Sequence, residues 1–478
     1  MNNVWKKIAA GGLALTLALS CGGCGASQPE VTELQEPKPT IHNDPLEPVT
    51  VSSDPISPHL LQLDNLTAAP EYPQMPKRPR QEDYPVNSQQ FYEDEWQWLQ
   101  GRQAHNVPSP ENAHDLDPFM EEAMKQFLSG ADNQVCSPLN IYFALAMLAE
   151  TGGGNTRQQV LDLLGHSSMD SLRAQANQLW RAHYCNDGQT VSLMANSVWL
   201  DEQHSFVQDT LNTLATDHYA SVFTGDLGTP DMDKQLAAWL DSQTGGLLTE
   251  YTENIKLDPA TVFCLASTAY FSADWEDSFY EGATAPAVFH GEDRDVTTDF
   301  MNTMFLHHVY YEGEDFAAVQ LPLSADHKMW LILPDEDSSP KAVLDQGNYY
   351  DLISQPKNWD QKRSVTLTLS MPKFDVSSEQ DLIPGLKAMG ITDACDPELA
   401  DYSPICNESL YLSKAKHAAR VSVDEDGVIA AAYTLMAFDT GGIPQKLEEI
   451  DFTLDRPFLF VITGEDDLPL FAGIVAEP

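Results

Sequence analysis

The hydrophobic period of the chain changes along its length, and this change constrains the fold more than any other feature. Residues 117–130 and 141–165 carry apolar side chains at helical spacing, with Gly152–Gly154 interrupting the second run and Thr156 predicted to cap its restart. Later apolar runs are short and rich in β-branched and aromatic residues; they are TVFCLASTAYFSADW, FAAVQLPL, KMWLILP, SVTLTLSMPKF and RPFLFVITG. Helices followed by strands predict one α+β domain over residues 112–478.

A different composition precedes this domain. Residues 26–110 contain nearly half of the 31 prolines in the chain and have little hydrophobic periodicity. Such a segment buries too little apolar surface to offset the entropy lost on ordering. We therefore expect residues 21–111 to form a Pro-rich linker that is mostly disordered. Residues 91–100, FYEDEWQWLQ, are aromatic enough to dock on the domain, but a partly ordered linker is the favoured interpretation.

The first residues have the pattern of an export signal. Lys6 and Lys7 precede an apolar run, Leu13 to Leu19, that is too short to span a bilayer. We expect residues 1–20 to be a signal peptide of the lipoprotein type, because residues 18–20 before Cys21 resemble a bacterial lipobox. Lipidation of Cys21 would anchor the chain to the outer face of a bacterial membrane, in the cell envelope or the extracellular space. An ordinary signal peptide cut nearby is the alternative.

Charge and cysteine content exclude several classes of function. The chain has 26 basic and 72 acidic residues, a formal net charge of −46, so nucleic acid is not an expected partner. Cys24 is a weaker candidate for lipidation than Cys21. The five remaining cysteines are odd in number and widely spaced, which predicts neither a metal site nor a disulfide framework; they are Cys136, Cys185, Cys264, Cys395 and Cys406. No cofactor or metal is expected.

The motifs of hydrolases and nucleotide-binding enzymes are missing from the sequence. It contains no GxSxG elbow, no HExxH pair and no GxxxxGKS loop. The acidic run from Asp424 to Gly427 loosely suggests a calcium loop, but the twelfth position counted from Ser422 is Tyr433 and not a glutamate. The sequence therefore does not predict an enzyme.

The most informative pattern lies in residues 414–462. A predicted strand, VSV, is followed by Gly427, which permits a backbone turn, and by the small residues of IAAAYT. A polar segment containing glycine, TLMAFDTGGIPQKLEE, comes next and is expected to be exposed and mobile. The chain then returns to a buried strand, RPFLFVI. A long exposed loop between two strands is a candidate for function.

This stretch closely resembles the hinge and reactive-centre loop of the serpins. His417 falls at the shutter histidine of that family, Ser137 and Pro138 resemble its shutter helix, and Trp275 matches its breach tryptophan. ELADYSPI, LYLSKAKH and DRPFLFVI follow in the family's order. The hinge signature is a glutamate, any residue, a glycine, two variable residues and an alanine run, matched by Glu425, Asp426, Gly427, Val428, Ile429, Ala430, Ala431 and Ala432. The resemblance implies N-terminal helices, three β-sheets and an exposed reactive-centre loop.

Several positions depart from the family pattern. Asn140 stands where a second shutter serine is usual, and Ser267 replaces an asparagine. Val428 and Ile429 replace the usual threonine and glutamate of the hinge, and Tyr433 occupies a usually small position. In the serpins the cleaved loop inserts into a β-sheet as an additional strand, and side chains point alternately to the two faces of a strand. The four that would point inward are neither charged nor proline, so insertion should be tolerated; they are Val428, Ala430, Ala432 and Thr434.

The resemblance implies a monomeric protease inhibitor that acts as a suicide substrate. Its partner would be a serine protease, or a cysteine protease, held as an acyl-enzyme while the cleaved loop inserts into a sheet. The membrane would be contacted only through the lipid anchor. The alternative is a non-inhibitory serpin-fold protein that serves as a binding or adhesion module on the cell envelope.

The position of the attacked bond is open. Counting seventeen residues from Glu425 places it between Gly441 and Gly442, whereas counting back from Pro457 gives residues 443–446. A small residue at this position, such as Gly441, would suit an elastase-like or subtilisin-like enzyme. The alternatives are Ala437, Phe438, Thr440 and Lys446, of which Phe438 would suit a chymotrypsin-like enzyme and Lys446 a trypsin-like one.

Overall fold

The computed structural model of the chain describes most of the residues that carry these patterns. The described residues are 8–21, 65–80, 83–86, 88–105, 107–128, 132–187, 190–277, 279–292, 294–425 and 447–478, with the backbone alone for 8–21 and 103–105.

The described helices are concentrated before residue 255 and after residue 340. They are α1 Gln89–His105, α2 Asp117–Phe127, α3 Pro138–Thr151, α4 Gly154–Leu163, α5 Met169–His183, α6 Gln208–Asp217, α7 Pro230–Gln243, α8 Thr249–Thr252, α9 Pro340–Gln346, α10 Asn348–Ser354 and α11 Ile383–Ala388. None of these described helices has the length and apolar character needed to cross a membrane.

The described strands extend from the N-terminus to the last residues. They are β1 Ile8–Cys21, β2 Leu66–Ala68, β3 Gln134–Cys136, β4 Cys185–Asn186, β5 Val191–Asp201, β6 Ala220–Gly225, β7 Thr261–Ala273, β8 Ala285–His290, β9 Asp295–Glu312, β10 Phe316–Pro322, β11 Lys328–Pro334, β12 Lys362–Pro372, β13 Phe374–Asp381, β14 Leu410–Val423, β15 Glu448–Thr453, β16 Phe458–Thr463 and β17 Pro469–Val475.

The strands form two hydrogen-bonded sheets. The first has the order β13-β14-β1-β7-β5-β6-β2, with β4 paired to β5, and the second has the order β15-β12-β9-β10-β11-β16-β17-β3, with β8 paired to β9. The α+β class is confirmed. The resemblance implied three sheets, whereas the described strands form two, because β9 runs for 18 residues and joins β8, β12 and β15 to the second sheet.

Helix α3 lies in the core and is buried on every side. Its start follows local rules, because the Ser137 side chain accepts a hydrogen bond from the Asn140 backbone N–H and a proline opens the first turn. The prediction that Thr156 caps the next helix is wrong. Helix α4 begins at Gly154, with Gly153 at the cap position, where a Cβ atom would lie 2.6 Å from the Asp401 carboxylate.

A buried ion cluster connects α3 to α5. Arg173 on α5 donates two hydrogen bonds of 2.7 Å to Glu150, whose side chain is 4 % exposed, and His218 lies 3.5 Å from the same carboxylate. Burial alone would raise the pKa of Glu150, but the hydrogen bonds from Arg173 and the nearby ring of His218 outweigh it and lower the pKa to about 2. The carboxylate is therefore ionised and paired in the native state.

Residues 65–105, which we call the N-terminal strap, pack on the domain in their described part. Strand β2 pairs with β6 and forms the edge of the first sheet, and Tyr72 stacks on Trp180 at 5.3 Å between ring centroids. The Trp98 indole is 6 % exposed and donates a hydrogen bond to the Pro76 carbonyl. The structure thus differs from the expected disorder over this part of the linker, because Tyr72 stacks on a residue of the domain and Trp98 is buried against the strap itself.

Strand β1 lies between β7 and β14 and is antiparallel to both, so β7 and β14 run parallel to each other on either side of it. We call the space between these two strands the central slot. Residues 8–20 of β1 lie within the predicted signal peptide, and the strand ends at Cys21. Signal cleavage and lipidation at Cys21 stay predictions. In this structure the space between β7 and β14 is filled by one antiparallel strand, β1, which pairs with both.

Candidate insertion slot with its shutter and breach

The loop of interest leaves the first sheet at one end of the central slot. Strand β14 ends at Val423, and the described chain continues to Glu425 before the segment 426–446. The end of β7, Ala273, flanks the same end of the slot, because Ala273 pairs with Ile8 while Ser422 pairs with Ala9. Glu425, the last described residue before this segment, therefore lies at this end of the slot and is continuous with one of its walls.

The middle of the slot has a polar cluster beneath it that joins three elements. The backbone N–H of Ser137 donates a 3.0 Å hydrogen bond to Nε2 of His417 on β14. The hydroxyl of Ser137 donates a 2.6 Å hydrogen bond to the carbonyl of Leu470 on β17. Both side chains are buried. The predicted shutter residues Ser137 and His417 are thus brought together and connect the first sheet to α3 and the second sheet.

The ring of His417 is neutral in this arrangement. Complete burial lowers the pKa of His417 to about 4, because no charged partner compensates for the loss of hydration. Since Nε2 accepts a hydrogen bond from Ser137, the proton resides on Nδ1, which is buried and has no partner among the described residues. A neutral imidazole with one unused donor lies directly beside the slot.

Asn140 and Ser267, which depart separately from the family pattern, form one hydrogen-bonded pair. The Ser267 hydroxyl on β7 donates to the Asn140 side-chain oxygen, and the Asn140 amide donates to the Ser267 carbonyl at 3.3 Å. Both residues are fully buried. Serine and asparagine have exchanged places between α3 and β7, so the two departures compensate each other and the link between helix and sheet is retained.

The breach tryptophan holds the chain where the loop begins. Trp275 follows the end of β7, is 1 % exposed, and donates a 3.1 Å hydrogen bond from Nε1 to the backbone carbonyl of Asp424. Its ring packs edge-on against Phe279 at 5.7 Å between centroids. Trp275, two residues after the end of β7, therefore connects this wall of the slot to Asp424, the residue before Glu425.

Glu425, the first residue of the hinge signature, is pinned from two sides. Its carboxylate accepts a 2.7 Å hydrogen bond from the Thr284 hydroxyl and lies 2.7 Å from Nζ of Lys373. The residue is only 7 % exposed. Burial alone would raise the pKa of Glu425, but the hydrogen bonds from Lys373 and Thr284 outweigh it and lower the pKa. The hinge thus starts from a fixed, ionised anchor.

Lys373 and Thr284 are the functional residues that the sequence did not reveal. Lys373 lies between β12 and β13 and Thr284 directly precedes β8, so both are far from Glu425 in the chain. Neither belongs to a local motif. The scarcity of basic residues in the chain is a weak signal for Lys373 at best, and nothing in the sequence indicates Thr284.

The remaining predicted site residues lie outside the described part of the chain. They are the hinge residues Gly427, Val428, Ala430, Ala431, Ala432 and Thr434, and the reactive-bond candidates Gly441, Gly442, Phe438, Thr440 and Lys446. For Cys21, the predicted lipidation site, only the backbone at the end of β1 is described.

Among the described residues, the cysteines form no disulfide, and the cysteines, histidines and acidic residues form no metal site. All five described cysteines are free, and all but Cys395 are buried. No group of three His, Cys, Asp or Glu side chains within the described ranges is arranged to hold a metal ion.

Comparisons with known proteins agree with this arrangement. Residues 117–478 match the model of a family described as Serpin (serine protease inhibitor). Serpin-ZX of Arabidopsis thaliana is 29 % identical over 373 residues, covering 73 % of this chain and 93 % of the relative. Plasminogen activator inhibitor 1 of Sus scrofa is 27 % identical, covering 72 % of this chain and 87 % of the relative.

Solved structures resemble the fold at a similar level of identity. The native state of the thermophilic serpin tengpin aligns with a TM-score of 0.67 and 26 % identity, over 78 % of this chain and 96 % of that one. AtSerpin1 of Arabidopsis, in its native stressed conformation, aligns with a TM-score of 0.68 and 26 % identity, over 78 % of this chain and all of that one.

Proposed function

The chain belongs to the serpin family, and we propose that it inhibits a serine protease, or a cysteine protease, as a suicide substrate. The observation that carries this proposal is the anchor at Glu425. It ties the start of the loop to one end of a slot that accepts a further antiparallel strand. A loop that starts from this point can enter the slot as a strand once its other end is cut.

The chemical step belongs to the target protease. Its serine hydroxyl or cysteine thiol attacks the carbonyl carbon of the bait residue, Gly441 in the favoured register, and the peptide bond to Gly442 breaks. The amine of Gly442 takes up the proton and becomes a new N-terminus, while the bait carbonyl stays attached to the protease as an ester or thioester. Water would normally cleave this intermediate.

Insertion of the loop competes with that hydrolysis. The cut segment following Glu425 enters the slot between β7 and β14 and forms hydrogen-bonded ladders with both strands. The attached protease is carried along, and its catalytic geometry, including the oxyanion hole, is distorted before water completes the reaction. The uncut state must then be protected kinetically, because the inserted state has more hydrogen bonds in the sheet.

The alternation of side chains provides a sharp test. Ala432 is expected to point into the core when the segment inserts, and its neighbour Ala431 to point outward. An arginine at position 432 would have to be buried without a partner, which opposes insertion. The same arginine at position 431 would stay in water.

The experiment incubates the chain from residue 22 onward with elastase, subtilisin, chymotrypsin, trypsin and papain, followed by denaturing gels and intact mass. We expect a covalent adduct for the unsubstituted chain and for Ala431→Arg, and cleavage without an adduct for Ala432→Arg. The mass of the C-terminal fragment identifies the attacked bond. Cleavage of all three proteins without any adduct would reject inhibition of these enzymes and favour a binding or adhesion module.

We further propose that the protein acts on the outer face of a bacterial membrane, anchored through Cys21. The lipobox-like residues before Cys21 support this location. The substitution Cys21→Ser should abolish incorporation of labelled palmitate in a bacterial host, whereas Cys24→Ser should not.

A further inference from the structure

The central slot is filled by a strand from the far N-terminus of this chain. Strand β1 pairs with β14 from Ala9 to Cys21 and with β7 from Ile8 to Ser20. Helix α3 packs against the same strand. A strand with a partner on each side uses backbone donors and acceptors along both of its edges. Strand β1 therefore takes up backbone groups that β7 and β14 present to the slot.

Strand β1 also runs in the direction that an inserted loop would take. It begins at the end of the slot where the loop starts, because Ile8 pairs with Ala273. It ends where Cys21 pairs with Leu410, the first residue of β14. A segment that turned back after Glu425 to enter the slot would start at the same end and also run antiparallel to β14. The two segments need the same backbone partners, so the slot holds one or the other.

The two competing segments have similar sequences. Residues 8–10 and residues 429–431 both read Ile-Ala-Ala. Neither β1 nor the segment 428–437 contains a charged residue or a proline. A central strand must donate its backbone N–H groups and should not bury an unpaired charge, and both sequences meet these conditions. The N-terminal segment is therefore a suitable substitute for the loop in the sheet.

The fit of β1 is irregular where it crosses the shutter. Between Gly12 and Leu15, two residues of β1 oppose the single residue Thr268 of β7. The register with β14 shifts at the same place, between Gly12 and Thr16, next to His417. Both registers shift once more before the strand ends. A bulge leaves its extra residue unpaired and disrupts the ladder locally. Strand β1 is therefore held less firmly than an uninterrupted strand would be.

We propose that residues 8–21, which we call the plug, keep the uncleaved precursor from acting as an inhibitor. While the plug fills the central slot, a cut loop has no place to insert, so a protease cleaves the precursor and leaves. Hydrolysis of the peptide bond between Ser20 and Cys21 consumes one water, leaves a carboxylate on Ser20 and an amine on Cys21, and removes all of the plug but its last residue. This inference rests on the proposed function and links the start of inhibition to export.

The test compares four proteins made in a cell-free system without membranes, so that the N-terminus stays intact. They are the full chain, the chain from residue 22 onward, the full chain with Ala10→Pro and Ala18→Pro, and a control with Val4→Pro and Ala26→Pro. Ala10 and Ala18 each pair with both β7 and β14, and proline has no backbone N–H to donate. The two control positions lie outside β1.

The first measurement is hydrogen exchange of the backbone amides of residues 8–21, read by mass spectrometry. We expect these amides to exchange at least about tenfold more slowly in the full chain and the control than in the variant with Ala10→Pro and Ala18→Pro, because paired amides are protected. This readout does not depend on inhibition of any protease.

The second measurement is the fraction of cleavage events that ends as a covalent adduct, with whichever of the five named proteases is trapped fastest by the chain from residue 22. We expect this fraction to be at least about tenfold lower for the full chain and the control, a difference of about 1.4 kcal/mol between the two outcomes. The variant with Ala10→Pro and Ala18→Pro should recover most of it.

Each contrary result has a defined meaning. Exchange of residues 8–21 that is equally fast in the full chain and in the variant with Ala10→Pro and Ala18→Pro would overturn the plug alone, since the chain from residue 22 could still form adducts. An equal adduct fraction for the full chain and the chain from residue 22 would also overturn it, because a filled slot would then not prevent trapping. No adduct from any of the four proteins would overturn the proposed function and the blocking role of the plug together.

Discussion

Lys373→Met is expected to destabilise the protein at the breach more than its position near the surface suggests. The substitution keeps most of the side-chain volume but removes the charge that pairs with Glu425 at 2.7 Å. Glu425 stays 7 % exposed and retains only one of its two described side-chain partners, Thr284. The buried carboxylate then loses the positive charge that offsets its lost hydration. Removing one partner of a buried ion pair is more destabilising than replacing both partners with apolar residues.

The magnitude follows from the exposure of the two partners. A hydrogen bond to a charged group contributes about 1.5–3 kcal/mol, and leaving a charge buried without a partner adds to the loss. The Lys373 side chain is 34 % exposed, so solvent screens part of the interaction. We expect a loss of about 2 kcal/mol in the free energy of unfolding at pH 7, and a thermal midpoint lowered by about 3 °C because the unfolding entropy of so large a domain is high.

The loss should depend on pH in a defined direction. With Lys373 present, the pKa of Glu425 is lowered, so its contribution to stability is present above the ordinary carboxyl pKa and is lost as the pH falls. Without Lys373, the hydrogen bond from Thr284 still opposes the effect of burial, but the pKa of Glu425 is higher than in the unsubstituted protein. Ionised Glu425 then contributes less to the stability of the variant, and the difference between the two proteins grows from pH 4 to pH 7.

Urea unfolding at pH 4, 5.5 and 7, followed by tryptophan fluorescence, measures this difference. Trp275 is one of nine tryptophans that contribute to this signal, and its indole donates to the carbonyl next to Glu425. The control is Lys341→Met, which breaks an exposed pair with Asp345 and should cost less than about 1 kcal/mol. A loss for Lys373→Met no larger than that of the control, or one that is independent of pH, would refute the reasoning.

Three further predictions concern buried pairs and the strap. Asn140→Ala should lower the free energy of unfolding by about 1–3 kcal/mol in urea titrations, because it strands the Ser267 hydroxyl; the double exchange Asn140→Ser with Ser267→Asn should restore most of the loss. Glu150→Gln should remove about 3 kcal/mol of stability that the native protein has above pH 4.5 and loses as the pH falls toward 2, so the unfolding curves of the two proteins should converge in acid. Trp98→Ala should release the N-terminal strap to limited proteolysis while the domain stays folded, whereas Trp96→Ala, at a position that is 62 % exposed, should not.

The strong strand patterns and the shutter could be predicted from the sequence because their signals are local. The apolar run ending at Ala273 became β7, and the resemblance at Ser137 and His417 identified two residues that do form a hydrogen bond. These signals depend on neighbouring residues or on family motifs of fixed order. They do not require knowledge of which distant segments pack together.

The contacts that the sequence did not reveal all join distant segments. Lys373 and Thr284 reach Glu425 only after β8, β13 and β14 have assembled. The exchange between Asn140 and Ser267 looked like two unrelated departures until the structure placed them on facing elements. The strap was expected to be disordered on composition, but Tyr72 and Trp98 are ordered by partners that composition does not describe.

The last three strands determine whether the two pieces of a cleaved chain stay together. Strand β15 ends one edge of the second sheet, and β16 and β17 lie inside it between β11 and β3. A polypeptide cut between residues 426 and 446 is therefore still a single body, because its C-terminal piece is woven into the larger piece by backbone hydrogen bonds on both sides. The two pieces should elute together on a sizing column in native buffer and separate only when the sheet itself is melted. Cleavage would break one peptide bond, but the two pieces would stay associated through the second sheet.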